Sequence, residues 1–183
     1  MKPYFFSTFE SLFAEVKPTF IGELGTHNGE SAVQFCKCAL EQSKKEKIKY
    51  VGYDMFEDAD LDPTFARKER NAKGAGLYNT AKRKLDSIKN YHAPRFSYKL
   101  HRGMTSATLK NTKFDFVYID AGHSYDSVVH DWNKVKESKL IVFDDVKLKS
   151  VRQAIIDHVE PSHTVEYIEK SRNTRGLAIV RNY

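Results

Sequence analysis

The chain has 183 residues, 40% hydrophobic and 30% charged, the balance of a soluble globular protein that can bury a sizeable core in one domain. No apolar run is long enough to cross a bilayer, and the N-terminal stretch carries Glu10 and Glu15 and lacks a small-residue cleavage site, so a cytoplasmic location is expected. The net charge of +6 permits an anionic partner such as nucleic acid, but lysine-rich solvated helix faces account for it more simply. The two cysteines, Cys36 and Cys38, stand two apart in a predicted helix, on different faces, which argues against a disulfide between them. Two thiols are also too few for a cysteine-based zinc cluster.

In chain order, Pro3–Val16 reads as an amphipathic helix with Phe5, Phe6, Phe9, Leu12, Phe13 and Val16 on or near one face. That apolar face could pair two chains into a homodimer. Strands are expected at Thr19–Leu24, Lys49–Tyr53, Phe96–Leu100, Phe114–Ile119, Lys139–Phe143, Thr164–Glu169 and Gly176–Arg181. Further helices are expected at Glu30–Ser43, Gly76–Tyr91, Ser124–Lys136 and Leu148–His158. Runs such as Phe116-Val117-Tyr118-Ile119 and Leu140-Ile141-Val142-Phe143 do not alternate, which suits central strands of a parallel sheet covered on both faces. The predicted fold is therefore α/β: a Rossmann-like three-layer sandwich whose seven-stranded, mostly parallel sheet ends in an antiparallel hairpin. The polar segment Phe56–Ala75 breaks this rhythm just after the second strand, where open α/β sheets bind ligands, and is read as a substrate lid in preference to a plain surface excursion.

Three clusters carry chemistry. The first is the turn from Glu23 to Ser31, in which Gly25 and Gly29 let the backbone approach a ligand closely. The dinucleotide fingerprint needs a third glycine for packing around a pyrophosphate, and here the pattern is G-x-x-x-G. An acidic Glu23 also disfavours a phosphate and suits a cationic ligand. The second is Asp54, which closes the second strand where a carboxylate can accept both ribose hydroxyls of a nucleoside. The third is the set Asp120, Asp144 and Asp145 at the ends of two buried strands. Neighbouring parallel strands end at one edge, and converging carboxylates call for a neutralising hard cation such as Mg²⁺; as an alternative, one or two of them cap the following helices. His123 lies three residues beyond Asp120 and can take a proton near neutral pH. His27, inside the glycine turn, is expected to pack near the cofactor.

The stretch Glu23-Leu24-Gly25-x-x-x-Gly29-x-Ser31-Ala32-Val33 resembles the cofactor loop of class I S-adenosylmethionine (SAM)-dependent methyltransferases. It is closest to the metal-dependent O-methyltransferases of the catechol O-methyltransferase type. Asp120-Ala121-Gly122-His123-Ser124-Tyr125 resembles the fourth-strand motif of related bacterial enzymes that modify sugars and macrolides, and Asp144-Asp145 is similar to their metal pair. The resemblance implies that Glu23, Gly25, Thr26, Asn28, Gly29 and Ser31 hold the methionine part of SAM. It implies that Asp54, with Met55 beside it, holds the ribose, and that Met104 contacts the adenine. Asp120 would line the cofactor site and, with Asp144 and Asp145, bind Mg²⁺ or another divalent cation. In catechol-type enzymes the position of His123 is a catalytic lysine, so His123 and Asp120 are the catalytic candidates. Those enzymes also carry helices before the first strand that cover the substrate. Only one short helix precedes it here, which argues against catechol itself as the substrate; a hydroxyl of a small molecule or sugar is expected as acceptor, with Phe56–Ala75 as its cover. The alternatives are a metal-independent methyltransferase acting on nucleic acid, a nucleotide-binding dehydrogenase-like domain, and a SAM-binding module without catalysis.

Overall fold

The computed structural model describes residues 6–61, 75–169 and 176–183. Helix α1 (Phe6–Val16) leads into β1 (Phe20–Leu24), α2 (Glu30–Gln42) and β2 (Ile48–Asp54). A short 3-10 helix (Phe56–Leu61) follows, and the chain continues through α3 (Leu77–His92), β3 (Phe96–Arg102) and the single turn α4 (Thr105–Thr108). Then come β4 (Phe116–Ile119), α5 (Tyr125–Val135), β5 (Leu140–Phe143), α6 (Lys149–His158), β6 (Val165–Ile168) and β7 (Leu177–Arg181). Every predicted strand and helix is present, with ends shifted by at most a few residues among the described positions. The 3-10 helix and α4 were not predicted, because elements of one or two turns are too short to show a period. Most of the predicted lid, residues 62–74, lies outside the described residues.

The seven strands form one sheet in the order β3-β2-β1-β4-β5-β7-β6. From β1 the chain moves outward through β2 and β3, then returns to lay β4 on the other side of β1, all in parallel. β5 continues in parallel beside β4, and β7 enters antiparallel between β5 and β6. The reversal of direction between β1 and β4 is a topological switch point, where the loops leaving neighbouring strands part and open a crevice.

The apolar runs of the central strands are explained by the two layers they serve. In β4, Phe116 and Tyr118 enter the core beneath α1, α2 and α3, while Val117 and Ile119 enter the core beneath α5 and α6. In β5, Leu140 and Val142 join the first core, Ile141 and Phe143 the second. Such strands need apolar residues at every position, so the two-residue period of a half-exposed strand disappears. The first core is strongly aromatic: Phe13 lies 5.7 Å from Phe35 in a stacked pair and 4.7 Å from Phe116, and Phe9 lies 5.0 Å from Phe35. Phe9, Leu12 and Phe13 thus bury the predicted apolar face of α1 within the chain's own core.

At the edge of the sheet away from the crevice, Asp115 ties strands together. Its Oδ2 accepts hydrogen bonds from the Thr19 and Phe20 amides at 3.0 and 2.9 Å, and Lys139 lies 2.7 Å from Oδ1. Because α1 contributes to the main core, Phe13→Ala is expected to cost about 3–5 kcal/mol of unfolding free energy. Urea denaturation checks this; a loss below about 1 kcal/mol would mean that α1 is an appendage.

Candidate active site

The site begins where β1 ends. Gly25 takes φ 99°, and a Cβ there would sit 1.9 Å from the carbonyl oxygen of Asp120. The loops that leave β1 and β4 therefore touch backbone to backbone at the switch point, and only glycine fits. Gly29 takes φ 76°, and its Cβ would lie 3.1 Å from Cα of Ala81 in α3. Both glycines of the G-x-x-x-G pattern thus have a steric reason.

The turn between them is held by β2. The amides of Gly25 and Thr26 donate to the carbonyl of Tyr53 at 2.8 and 3.3 Å. The His27 amide donates to Asp54 Oδ2 at 2.8 Å, and the Phe56 amide donates to Asp54 Oδ1. Asp54 therefore ties the glycine turn to the start of the 3-10 helix, while also lining the crevice. Asn28 Oδ1 accepts from the Glu30 amide at 3.2 Å, which satisfies one of the open donors at the start of α2. The His27 side chain is exposed.

Glu23 lies beneath the turn. It is fully buried, and its two oxygens are hydrogen-bonded to Ser31 Oγ and Tyr50 Oη. Thr26 Oγ1 stands 3.3 Å from the same Tyr50 hydroxyl, extending the network. Burial pushes the Glu23 carboxyl up from its ordinary 4.5 to about 8, and the two hydrogen bonds offset this only in part. At neutral pH the group is largely protonated, so, against the expectation that its charge selects a cationic ligand, it braces the turn as a neutral hydrogen-bonding side chain.

The crevice above holds about 650 Å³ of empty space, part of it continuous with solvent. One side is formed by Gly25, Tyr53, Asp54 and Met55, the other by Gly103, Met104, Thr105 and Ser106. Asp120, Ala121 and Gly122 close the end near β4, and Ser127 and His130 of α5 complete the wall. Thr105, Ser106, Ser127 and His130 were not expected from sequence. Ser127 and His130 are three apart on one helix, a spacing that shares a face, but nothing in the chain marks that face as a wall.

Beside the crevice, Asp120, His123 and Asp145 converge, each offering one ligand atom within 4.8 Å of the others. His123 Nε2 lies 3.0 Å from Asp145 Oδ2 and 3.6 Å from Asp120 Oδ1. Ser150 of α6 fixes the loop by donating to the His123 carbonyl at 2.6 Å, and Ser127 Oγ donates to the Gly122 carbonyl at 2.8 Å. Asp144 is placed differently from the expectation that it joins Asp120 and Asp145. Its Oδ2 accepts from Tyr118 Oη at 2.6 Å and its Oδ1 from the Asp145 amide at 2.7 Å. Burial, then the nearby charge of Asp120, raises its pKa to about 6. Tyr118 of β4 holds the first of the two aspartates, while Asp145, at φ 56°, meets His123.

A family model described as a methyltransferase domain matches residues 23–146, from the acid beneath the turn to just past the paired aspartates. The chain belongs to this methyltransferase family. The matched span contains the glycine turn, Asp54, the whole crevice wall and the Asp120–His123–Asp145 group. Among solved structures, the methyltransferase is similar to a calicheamicin methyltransferase, with a TM-score of 0.72 and 17% identity over 96% of this chain and 77% of that one. It is similar to the O-methyltransferase NovP, with a TM-score of 0.70 and 15% identity over 97% of this chain and 78% of that one. It is also similar to the O-methyltransferase TomG from Streptomyces achromogenes, which is involved in tomaymycin synthesis and was solved with SAM. That likeness has a TM-score of 0.63 and 15% identity over 99% of this chain and 80% of that one. No curated protein sequence matches the chain significantly.

The raised pKa of Glu23 carries a consequence for the methyltransferase's stability. Between about pH 4.5 and 8 the folded chain keeps a proton that the unfolded chain has lost, so this group's contribution falls as pH rises. Glu23→Gln keeps a neutral hydrogen-bonding group and removes the titration. The melting temperature of the variant relative to the parent should therefore climb by several degrees from about pH 5 to about pH 8. A difference independent of pH would mean that Glu23 is ionised in the fold.

Proposed function

We propose that the chain transfers the methyl group of SAM to a hydroxyl of a small molecule or sugar, assisted by a divalent cation. The observation that carries this reading is the meeting, at one switch-point crevice, of a glycine turn suited to a ligand without phosphates and an Asp-His-Asp group. SAM would lie along the crevice with its methionine part over the turn through Gly25, Thr26, Asn28 and Gly29. Its ribose would meet Asp54, and its base would lie among Met55, Met104 and Ser106. Glu23 and Ser31 act from below by bracing that turn. The solved relatives with SAM or its demethylated product bound support the choice of cofactor. The O-methyltransferases among them support hydroxyl as the acceptor group.

The residues fit a cation. Two carboxylates and an imidazole face one another, Asp145 is only 2% exposed, and mixed oxygen and nitrogen donors suit a divalent ion such as Mn²⁺ at least as well as Mg²⁺. Asp120, His123 and Asp145 would hold it; when bound, it supplies a Lewis acid that lowers the pKa of an acceptor hydroxyl. The transfer breaks the sulfur–methyl bond and forms the oxygen–methyl bond in one displacement. The sulfonium leaves as a neutral thioether and the acceptor proton passes to solvent or a nearby base. Gly25 and Asp120, in backbone contact, fix the turn against the cation group and so set the alignment of donor and acceptor.

A second reading rests on the 3.0 Å approach of His123 Nε2 to Asp145. Without a cation, His123 is the base that takes the acceptor proton, and the two carboxylates stabilise the imidazolium that results.

The test is formation of S-adenosylhomocysteine with a panel of phenols and glycosides. EDTA should abolish turnover and Mn²⁺ or Mg²⁺ should restore it. His123→Ala and Asp145→Asn should each lower kcat by about a hundredfold or more. Asp144→Asn, whose side chain is bound to Tyr118, should lower it by less than about tenfold. Turnover that resists EDTA but is lost in His123→Ala selects the second reading, and turnover intact in both variants overturns both.

A further inference from the structure

The mechanism above leaves one buried acid without a task. Asp131 lies on α5 with its side chain completely buried, and neither carboxyl oxygen has a hydrogen-bond partner. Core positions of this kind are ordinarily apolar, and its neighbours Val128, Trp132 and Val135 are buried on the same helix. Burial pushes its carboxyl up to about 7, and the one side chain that draws it back down is the hydroxyl of Thr105. Thr105 opens α4, the single turn that packs against α5, and with Met104 and Ser106 it forms one wall of the crevice. The residue before Asp131, His130, and Ser127 one turn earlier line the same crevice directly. The acid therefore stands behind the wall that its helix neighbours complete from the front.

We infer that Asp131 is a positioning residue for the cofactor: from within the core its unfilled carboxyl draws the Thr105 hydroxyl toward it when the site is filled, and so sets the Met104–Ser106 wall against the base end of the bound nucleoside. The inference rests on the reading of the crevice as a SAM site. A single turn of helix has little stability of its own, so a wall built on it needs an outside anchor. Asp131 supplies that anchor through a bonding capacity that its surroundings leave unfilled. Closing Thr105 onto the carboxyl and closing the wall onto the cofactor are then one movement, and each favours the other. The cost falls on the fold, because a buried polar group without full partners is destabilising. Cofactor affinity and stability should consequently respond to this residue in opposite directions, which a residue needed only for packing would not do.

Calorimetric titration with SAM and thermal melting on the full chain test this. Asp131→Leu should melt no lower than the parent yet bind SAM about tenfold more weakly. Asp131→Asn, which keeps a hydrogen-bonding side chain of the same shape, should bind within about threefold of the parent. Thr105→Val should weaken binding, and adding it to Asp131→Leu should cost little more, because both remove the same interaction in the cofactor-bound state. Parental affinity in Asp131→Leu overturns the inference. So do equal losses in the Leu and Asn variants, or losses that add in the double variant. A parent chain that binds no SAM overturns the reading of the crevice itself, and this inference with it.

Discussion

The contact on which the site depends is the approach of two backbones, Gly25 at the end of β1 and the carbonyl of Asp120 at the end of β4. No side chain fits between them, because the first carbon of one would overlap the Asp120 oxygen at 1.9 Å. This fixes how far apart the two loops stand, and hence how the glycine turn faces the Asp120–His123–Asp145 group. The Asp120 amide donates to the Leu24 carbonyl at 2.7 Å, so the same junction is also part of the sheet's bonding ladder. Shape and chemistry are set at a single point, and the crevice opens from it because β1's other neighbour, β2, leads its chain away in the opposite direction.

Around that point the protein buries several acids and treats them differently. Glu23 is neutralised by burial and serves as a hydrogen-bonded strut between Ser31 and Tyr50. Asp54 accepts two backbone amides and joins the glycine turn to the next loop. Asp144 is held by Tyr118. These three hold the scaffold rigid while Asp120 and Asp145 approach His123. A site that needs converging carboxylates must keep their neighbours from adding to the repulsion, and protonation or hydrogen bonding of the surrounding acids achieves this.

Much of this was legible in the chain, for identifiable reasons. The unbroken apolar runs of β4 and β5 announced strands covered on both faces, and the two separate cores they feed are the physical cause. Gly25 and Gly29 marked a turn of close approach, and both have positive φ with backbone at van der Waals distance or nearer. The strand-end carboxylates pointed to one edge because parallel strands end together. What escaped were features without local signature. Tyr118 looked like one more apolar strand residue, yet its hydroxyl decides where Asp144 points. Asp131 and Thr105 carry no local pattern that sets them apart from their neighbours in the chain.

Local patterns in the chain account for the order of elements, the layered sheet, the glycine turn and the set of acids available at its edge. These follow from periodicity, glycine sterics and strand polarity, which act within a few residues. Tertiary structure alone decided that Glu23 lies under the turn as a neutral group, and that His123 rather than Asp144 stands with Asp120 and Asp145. It alone placed a buried acid behind the crevice wall. Each of these depends on contacts between residues from 8 to 27 apart in the chain, and on how much water those contacts exclude, neither of which a local pattern records.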